Sequence, residues 1–422
     1  MLLAEDFHEA KSTIVAVTPP PSASRASVPL GMLLTAIVGV GALSIDMFLP
    51  SLPTIAATFA TDAATAQLTL TVFLAALAVS QLLWGPLSDR LGRRRVLLAG
   101  LSVYTLAGAA CAFVPGIRAL IVARGVQALG AGSGPVIARA VVRDLYEPAR
   151  AARILAAMGT AQALTPILAP IIGGWVHTLA GWEAVFVVQG VFGAVFVLTA
   201  TRVVPETNVH AGAPAGDGIQ RPVVTLLRHP RYLAYVLVAA LMFGGQFAFI
   251  TGSSFALIGL LGVSPTTYGL CFAAVATGLM AGNFLSAKIG AAVGIDAMLR
   301  AGTAIGAAAG VVMAALAWAG VVSVVSVIGP MFGFAFGLGF VLPNAAAGAI
   351  GPFPRMAGLA SAVLGFVQLT GSALYAVGVS RFDDGTVRPM STAVATAGLA
   401  ALLTFRLLSR APTSPAPTPA DS

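Results

Sequence analysis

Twelve times along its length this chain turns apolar for about the thickness of a bilayer, and that repetition limits its fold more than any other feature. The runs cover residues 30–49, 66–86, 96–114, 119–142, 152–176, 184–203, 232–254, 266–289, 297–318, 322–344, 357–379 and 389–408. A helix needs roughly 20 apolar residues to cross hydrocarbon, and only helices and closed barrels satisfy their backbone groups there. Charged residues make up 9% of the chain, against about 25% in a soluble domain, and the mean hydropathy is +0.94. The expected fold class is an all-α membrane protein with twelve transmembrane helices in two six-helix halves. Gly and Ala recur through most runs, which lets helices approach closely where no water drives them together.

Lys and Arg gather on the cytoplasmic side of membrane proteins. With the N-terminus placed inside, nineteen of the 23 basic residues fall in cytoplasmic loops or tails. Three, Arg118, Arg381 and Arg388, fall outside, and Arg124 lies within a run. Both termini are therefore expected in the cytoplasm. Residues 1–28 are polar, carry three consecutive prolines, lack a signal-peptide pattern and read as a disordered tail. Residues 410–422, rich in Pro, Ala, Ser and Thr, read the same way. Residues 205–231 form the longest internal break and read as a linker between an N-terminal half, 29–204, and a C-terminal half, 232–409. Ser88-Asp89-Arg90-Leu91-Gly92 and Ser286-Ala287-Lys288-Ile289-Gly290 close the second run of each half, a faint repeat of the kind duplication leaves.

Asp46 alone among the acids lies inside a run. It sits near the far end of the stretch Leu30–Pro53, just before Pro50 and Pro53. A carboxylate in hydrocarbon costs several kcal/mol on most scales, so it is kept where it faces protein or water. Two readings stand: a boundary residue that snorkels or caps the next segment, or a titratable group on a transport path. Arg124 is the one basic group clearly within the membrane, away from the ends of its run, with Gln127 and Ala131 on the same helical face. It reads either as a structural pin between helices or as a partner of Asp46, coupled directly or through water, because either charge alone is expensive. Burial favours the neutral carboxyl and a nearby guanidinium the ionised one, so a group between these pulls can titrate near neutral pH. If its two forms favour opposite-facing states, a proton gradient can drive cargo exchange.

Other function classes find little support. The net charge of +8 lies in short loops between apolar runs and does not suggest nucleic acid. Cys111 and Cys271 sit in separate apolar runs and read as packing residues. The four histidines, His8, His177, His210 and His229, are scattered without ligand spacing, so neither a metal site nor another cofactor is expected, and an enzyme is set aside. No ring of charges or carbonyl filter suggests a channel. Only two of the basic residues are lysines, a bias typical of high-GC coding and hence of a bacterial source. Cargo-contact candidates, by residue type and depth, are Phe48, Gln127, Gln162, Phe243, Gln246, Phe247 and Gln368, together with Asn283 and Phe332.

Several stretches carry a family resemblance. Gly85-Pro86-Leu87-Ser88-Asp89-Arg90-Leu91-Gly92-Arg93-Arg94-Arg95 resembles the loop signature of the major facilitator superfamily. Arg124-Gly125-Val126-Gln127-Ala128-Leu129-Gly130-Ala131-Gly132 resembles its fourth-helix Arg motif. Leu168-Ala169-Pro170-Ile171-Ile172-Gly173-Gly174-Trp175, with Pro166 one turn before Pro170, resembles the fifth-helix motif of its proton-driven antiporters. Asp46-Met47-Phe48-Leu49-Pro50-Ser51-Leu52-Pro53 is similar to the first-helix signature of the Bcr/CflA drug-resistance group.

The resemblance implies drug:proton antiport in a bundle that rocks around a central cavity. Asp46 would carry the proton and Arg124 would be its partner. Gly85, Asp89, Arg90, Gly92, Arg93 and Arg94 would latch one conformation, and Pro166, Pro170, Gly173 and Gly174 would form a pliant seal. The proton is then the coupling ion, with no cofactor. The partners would be a small drug-like molecule and the bilayer, the protein a monomer, and the location a bacterial inner membrane. A metabolite exporter, exchanger or importer of the same fold is the alternative. Two departures stand out. The position about two turns before Asp46, near Val38, is apolar where some related exporters have a second acid, and Glu183 stands where the group usually has Arg.

Overall fold

The computed structural model describes residues 28–208 and 220–408. The tails expected at 1–28 and 410–422, apart from Val28, and the middle of the linker expected at 205–231 lie outside the described residues. Among those described there are helices and turns and no strand. The chain runs through α1 (Val28–Val38), α2 (Val40–Asp46), a 3₁₀ turn at Leu49–Ser51, α3 (Leu52–Thr58), α4 (Ala63–Leu91), α5 (Arg93–Cys111), α6 (Ile117–Ala131), α7 (Ser133–Leu145) and α8 (Pro148–Val203). It continues through α9 (Gln220–Leu227), α10 (Pro230–Ser254), a π-helical stretch (Phe255–Leu260), α11 (Pro265–Val293), α12 (Ile295–Trp318), α13 (Val324–Ile350), α14 (Ala357–Arg381) and α15 (Arg388–Leu408). The short helix α9 lies within the stretch expected to be the linker.

Ten helical stretches are long and apolar enough to cross a membrane, against twelve runs in the sequence. The difference arises in two places. Helix α8 has 56 residues, but Gly181 inside it adopts φ 83°, ψ 175° and turns the chain back. A straight helix of that length would reach about 84 Å, far beyond a bilayer. Helix α5 has 19 residues and opens on Arg93-Arg94-Arg95, which makes it more polar than the others.

Local chemistry explains most helix starts. The Asp62 carboxylate accepts from Thr65 N at 2.7 Å and caps α4; these Thr65 hydrogen bonds hold the acid below the usual carboxylate range. Ser264 does the same for α11 through Thr267 N. Pro148, Pro230 and Pro265 occupy first turns, where a missing N–H costs nothing. Pro50 and Pro53 also start segments, so the first span does not stop near residue 49 but continues to Thr58. Asp46 consequently lies well inside a 31-residue span, twelve residues before its end, rather than near its far boundary.

Helices α4 and α11 are both 29 residues long, start on a side-chain cap and end on a left-handed glycine, Gly92 (φ 97°, ψ 146°) and Gly294 (φ 88°, ψ 156°). Only glycine takes that backbone geometry without strain. The duplicated position is therefore Gly92 with Gly294. The sequence pairing of Gly92 with Gly290 is off by one helical turn, because the matched letters lie inside α11 and the shared constraint is the glycine that ends it.

The two halves meet through α4 with α14 and α8 with α11. One apolar cluster runs through both halves and includes Phe48, Phe73, Phe186, Phe249, Tyr268 and Phe272. A second gathers Leu30, Leu34, Leu101, Val141 and Ala200. The arginine-poor end of the bundle, near Gly181, Ser264 and Arg388, holds the close contacts between halves. Toward the arginine-rich end, Leu83 and Leu87 of α4 remain exposed.

Candidate functional site

Asp46 closes α2 and is 4% exposed, so it does not face lipid. Its carboxylate makes no hydrogen bond or ion pair among the described residues. Segment α2 is short because the helix breaks at Gly39 and passes into the 3₁₀ turn before Pro50. That turn packs on α8, α10 and α11, which puts Asp46 where the halves meet.

Arg124 of α6 is fully buried, but its partners are not acids. Its Nη1 donates to Gln127 Oε1 at 2.7 Å and its Nη2 to the Ser44 carbonyl at 3.2 Å. The rings of Phe48, Phe73 and Phe186 surround the guanidinium with centroids at 4.7, 4.2 and 5.7 Å, while Nε has no partner. Gln127 Nε2 in turn donates to Gln189 Oε1 at 3.0 Å, and Ser44 Oγ shares a 2.9 Å hydrogen bond with the Tyr104 hydroxyl. Burying an unpaired cation costs several kcal/mol. Two charge-assisted hydrogen bonds at about 1.5–3 kcal/mol each, with three cation–π contacts, are of the right size to offset it. Of the two expected forms of coupling, direct or through water, no direct hydrogen bond or ion pair between Arg124 and Asp46 is present among the described residues. Ser44 and Asp46, two residues apart on a helix, point different ways, and the guanidinium follows Ser44. Gln189 was missed in the sequence, although it is the only amide in the run 184–203.

The fifth-helix motif brings backbones together. Helix α8 runs through Pro166 and Pro170 with helical backbone angles, and Gly181 is its one non-helical residue. A methyl group on Gly173 would overlap the Met47 carbonyl, and one on Gly174 the Pro265 carbonyl. From the other side, a methyl on Gly269 of α11 would stand 2.6 Å from Pro170 O. His177 adds polar contacts at the same end, with Nδ1 3.3 Å from Ser51 Oγ and Nε2 3.2 Å from Thr54 Oγ1.

The loop signature folds onto its own half. Arg93 Nη1 lies 2.6 Å from Asp89 Oδ1 and Arg93 Nε 3.3 Å from Asp144 Oδ2. Glu206, unremarked in the sequence, accepts from Arg93 N at 2.7 Å and Arg94 N at 3.2 Å and so caps α5. Its carboxylate occupies the space a side chain at Gly92 would fill. Arg94 Nη2 reaches the Thr201 carbonyl and Asn208 Nδ2 the Asp89 carbonyl. Arg90 is exposed, and Gly85 packs loosely against Val136. No ion pair among the described residues joins the halves. The second half has its own cluster, in which Asp296 accepts from Arg231 Nη2 and the Tyr235 hydroxyl, each at 2.6 Å.

The cargo candidates divide. Phe48 and Gln127 are fully buried around Arg124 in this arrangement. Gln162 accepts from Arg139 at 3.2 Å. Phe243 and Phe247 pack edge-to-face at 5.0 Å. Gln246, between them in sequence, is 8% exposed with Oε1 unpaired. Gln368 and Asn283 are half-buried, and Phe332 is exposed.

Comparison with known proteins adds the following. The profile of the Major Facilitator Superfamily matches residues 34–376. Multidrug resistance protein D of Escherichia coli K12 is 29% identical over 350 residues, covering 83% of this chain and 88% of that protein. The chloramphenicol resistance protein of Pseudomonas aeruginosa is 31% identical over 334 residues, covering 79% of each. A solved D-xylose–proton symporter superposes with a TM-score of 0.74 at 15% identity, over 94% of this chain and 99% of that one, a likeness of fold.

Proposed function

Since this chain belongs to the Major Facilitator Superfamily, we propose that it exports small lipophilic compounds, antibiotics among them, across a bacterial inner membrane in exchange for protons taken up at Asp46. We count twelve spans, adding α5 to the ten apolar stretches and dividing α8 at Gly181. The arginine distribution puts both termini in the cytoplasm and the arginine-poor seam outside. The halves then rock about Asp46, with the outer seam closed in the arrangement described above.

One observation carries the reading: a buried carboxylate at the junction of the halves, without a hydrogen bond or ion pair among the described residues. Such a group is costly unless it has work to do, and neutralising it by a proton changes the energy of any arrangement that buries it. The scarcity of fixed charge in the spans suits apolar cargo. The names of the resistance proteins it resembles support efflux of drugs.

The test is expression in an efflux-deficient host with a panel of amphenicols, bicyclomycin, sulfonamides and cationic dyes, with and without a protonophore. The wild type should raise resistance in a protonophore-sensitive way. Asp46→Asn should reach the membrane in equal amount and give none, and full resistance from that variant would refute proton exchange at this residue.

A further inference from the structure

A cation within a span either reaches back to the membrane surface or faces water. Arg139 does not reach back. It lies six residues before Leu145, the last of α7, so its Cα is about 9 Å from the inner end of that helix. Gln162 lies 14 residues after Pro148, the first of α8, and only Tyr146 and Glu147 separate the two helices. At roughly 1.5 Å per residue, its Cα is about 21 Å from the start of α8. Arg139 Nη2 nonetheless donates to Gln162 Oε1 at 3.2 Å. The guanidinium is therefore stretched toward the middle of the span, away from the cytoplasmic end to which the sequence assigns it.

Its surroundings point the same way. Val136, one turn earlier on the same face, lies 4.0 Å from where a methyl on Gly85 of α4 would stand. This face of α7 thus looks between α4 and α8, the helices through which the first half meets the second. Toward the inner end that meeting lapses: Leu83 and Leu87 of α4 are exposed, and a methyl on Gly159 of α8 would meet nothing within 4 Å. Arg139 is exposed there as well. No acid answers it. The ion pairs among the described residues join Arg93 to Asp89 and Asp144, and Arg231 to Asp296. Arg143, one turn on, directs its Nε to the Arg139 carbonyl at 3.3 Å and adds a second positive charge. A guanidinium carries five N–H groups, and one of those on Arg139 has a partner among the described residues.

We propose that Arg139, held by Gln162, is a cargo anchor in the cleft between the halves, and that it selects lipophiles bearing a carboxylate. A guanidinium presents a planar fork of donors that matches the two oxygens of a carboxylate. The apolar surface of Leu83 and Leu87 suits the body of such a molecule. A carboxylate entering from the cytoplasm meets an unanswered charge, and pairing relieves both of the cost of standing alone. This rests on the reading of the chain as an exporter and names the preferred class within it. It also gives the exchange an electrical signature. One anion leaving against one proton entering transfers two charges, where a neutral cargo transfers one.

The test compares naphthoate with uncharged naphthamide, a matched pair of the same shape. Each is bound at neutral pH to full-length protein in lipid nanodiscs, by equilibrium dialysis with empty nanodiscs as the blank. The wild type should hold naphthoate at least about tenfold more tightly, the effect of one charge-assisted hydrogen bond. Arg139→Gln should bind naphthoate no better than naphthamide. Arg139→Lys keeps the charge without the fork and should retain part of the preference. Equal affinities for acid and amide in the wild type overturn the proposal, and that comparison needs no variant to fold. A preference that survives in Arg139→Gln overturns it too, and leaves Arg139 as a tie between α7 and α8. A wild type that confers no protonophore-sensitive resistance would sink the export reading instead, with the binding preference intact, which separates the two failures.

Discussion

Arg124 holds the Ser44 carbonyl at 3.2 Å, two residues before Asp46, at the point where the first span leaves regular helical geometry. A carbonyl freed by the passage into the 3₁₀ turn needs a donor, and a cation at a helix C-terminus also suits the dipole. The guanidinium thus fixes where α2 ends and how its last residue, Asp46, is aimed. Its contact with this segment is to the backbone, at the Ser44 carbonyl, and no ion pair with Asp46 is present among the described residues.

Replacing this fork should therefore cost more than its charge suggests. Arg124→Lys keeps the cation and its contact with the three rings but cannot reach Gln127 and Ser44 together. We expect a loss of about 2 kcal/mol or more in stability, from at least one charge-assisted hydrogen bond. Gln189→Leu should cost about 1–2 kcal/mol, because the Gln127 amide is left buried without its acceptor. Unfolding in detergent measures both. An Arg124→Lys protein as stable as wild type would show that the fork geometry is not required.

Glu206 and Asp89 both meet Arg93 at the start of α5 and should behave oppositely. Glu206 caps two backbone amides of α5, and removing such a cap typically costs about 0.5–2 kcal/mol. The Asp89 side chain is 62% exposed in its pair with Arg93, and such surface pairs are worth below about 1 kcal/mol. Glu206→Ala should thus lower the unfolding temperature more than Asp89→Asn. If Asp89 latches the opposite state of the cycle, Asp89→Asn should slow transport while leaving stability almost unchanged. Equal destabilisation by both variants would contradict the capping role.

How far the sequence could be read depends on what kind of constraint each residue obeys. The apolar runs were legible because hydrocarbon imposes one length and one composition on every span. Asp46 and Arg124 were legible because charge is rare there. That no direct bond joins them was not, since a two-residue offset along α2 decides which residue Arg124 meets. Glu206 was hidden for another reason: it caps α5 from 113 residues away in sequence, and no local pattern announces that. The repeat slipped by a turn because letters were matched where a backbone angle was conserved between the halves. The place of Phe48 beside Arg124 was not legible, because a phenyl ring looks the same in sequence whether it meets cargo or a guanidinium.

The outer seam offers the sharpest mutational contrast. A methyl at Gly269 would stand 2.6 Å from Pro170 O and 2.8 Å from Ile171 Cα, backbone atoms that cannot swing aside. Overpacking of this kind costs about 1–3 kcal/mol. The cost falls only on the arrangement in which α8 and α11 touch, so Gly269→Ala should move the balance toward the parted seam by about 5- to 150-fold. A cysteine at Ser51, which is fully buried beside the seam, reports this through reaction with an impermeant maleimide in a background lacking Cys111 and Cys271. Labelling should accelerate in Gly269→Ala. It should stay slow in Gly329→Ala, where the added methyl meets nothing within 4 Å. Equal labelling rates in the two variants would mean that the glycine contact does not hold the seam shut.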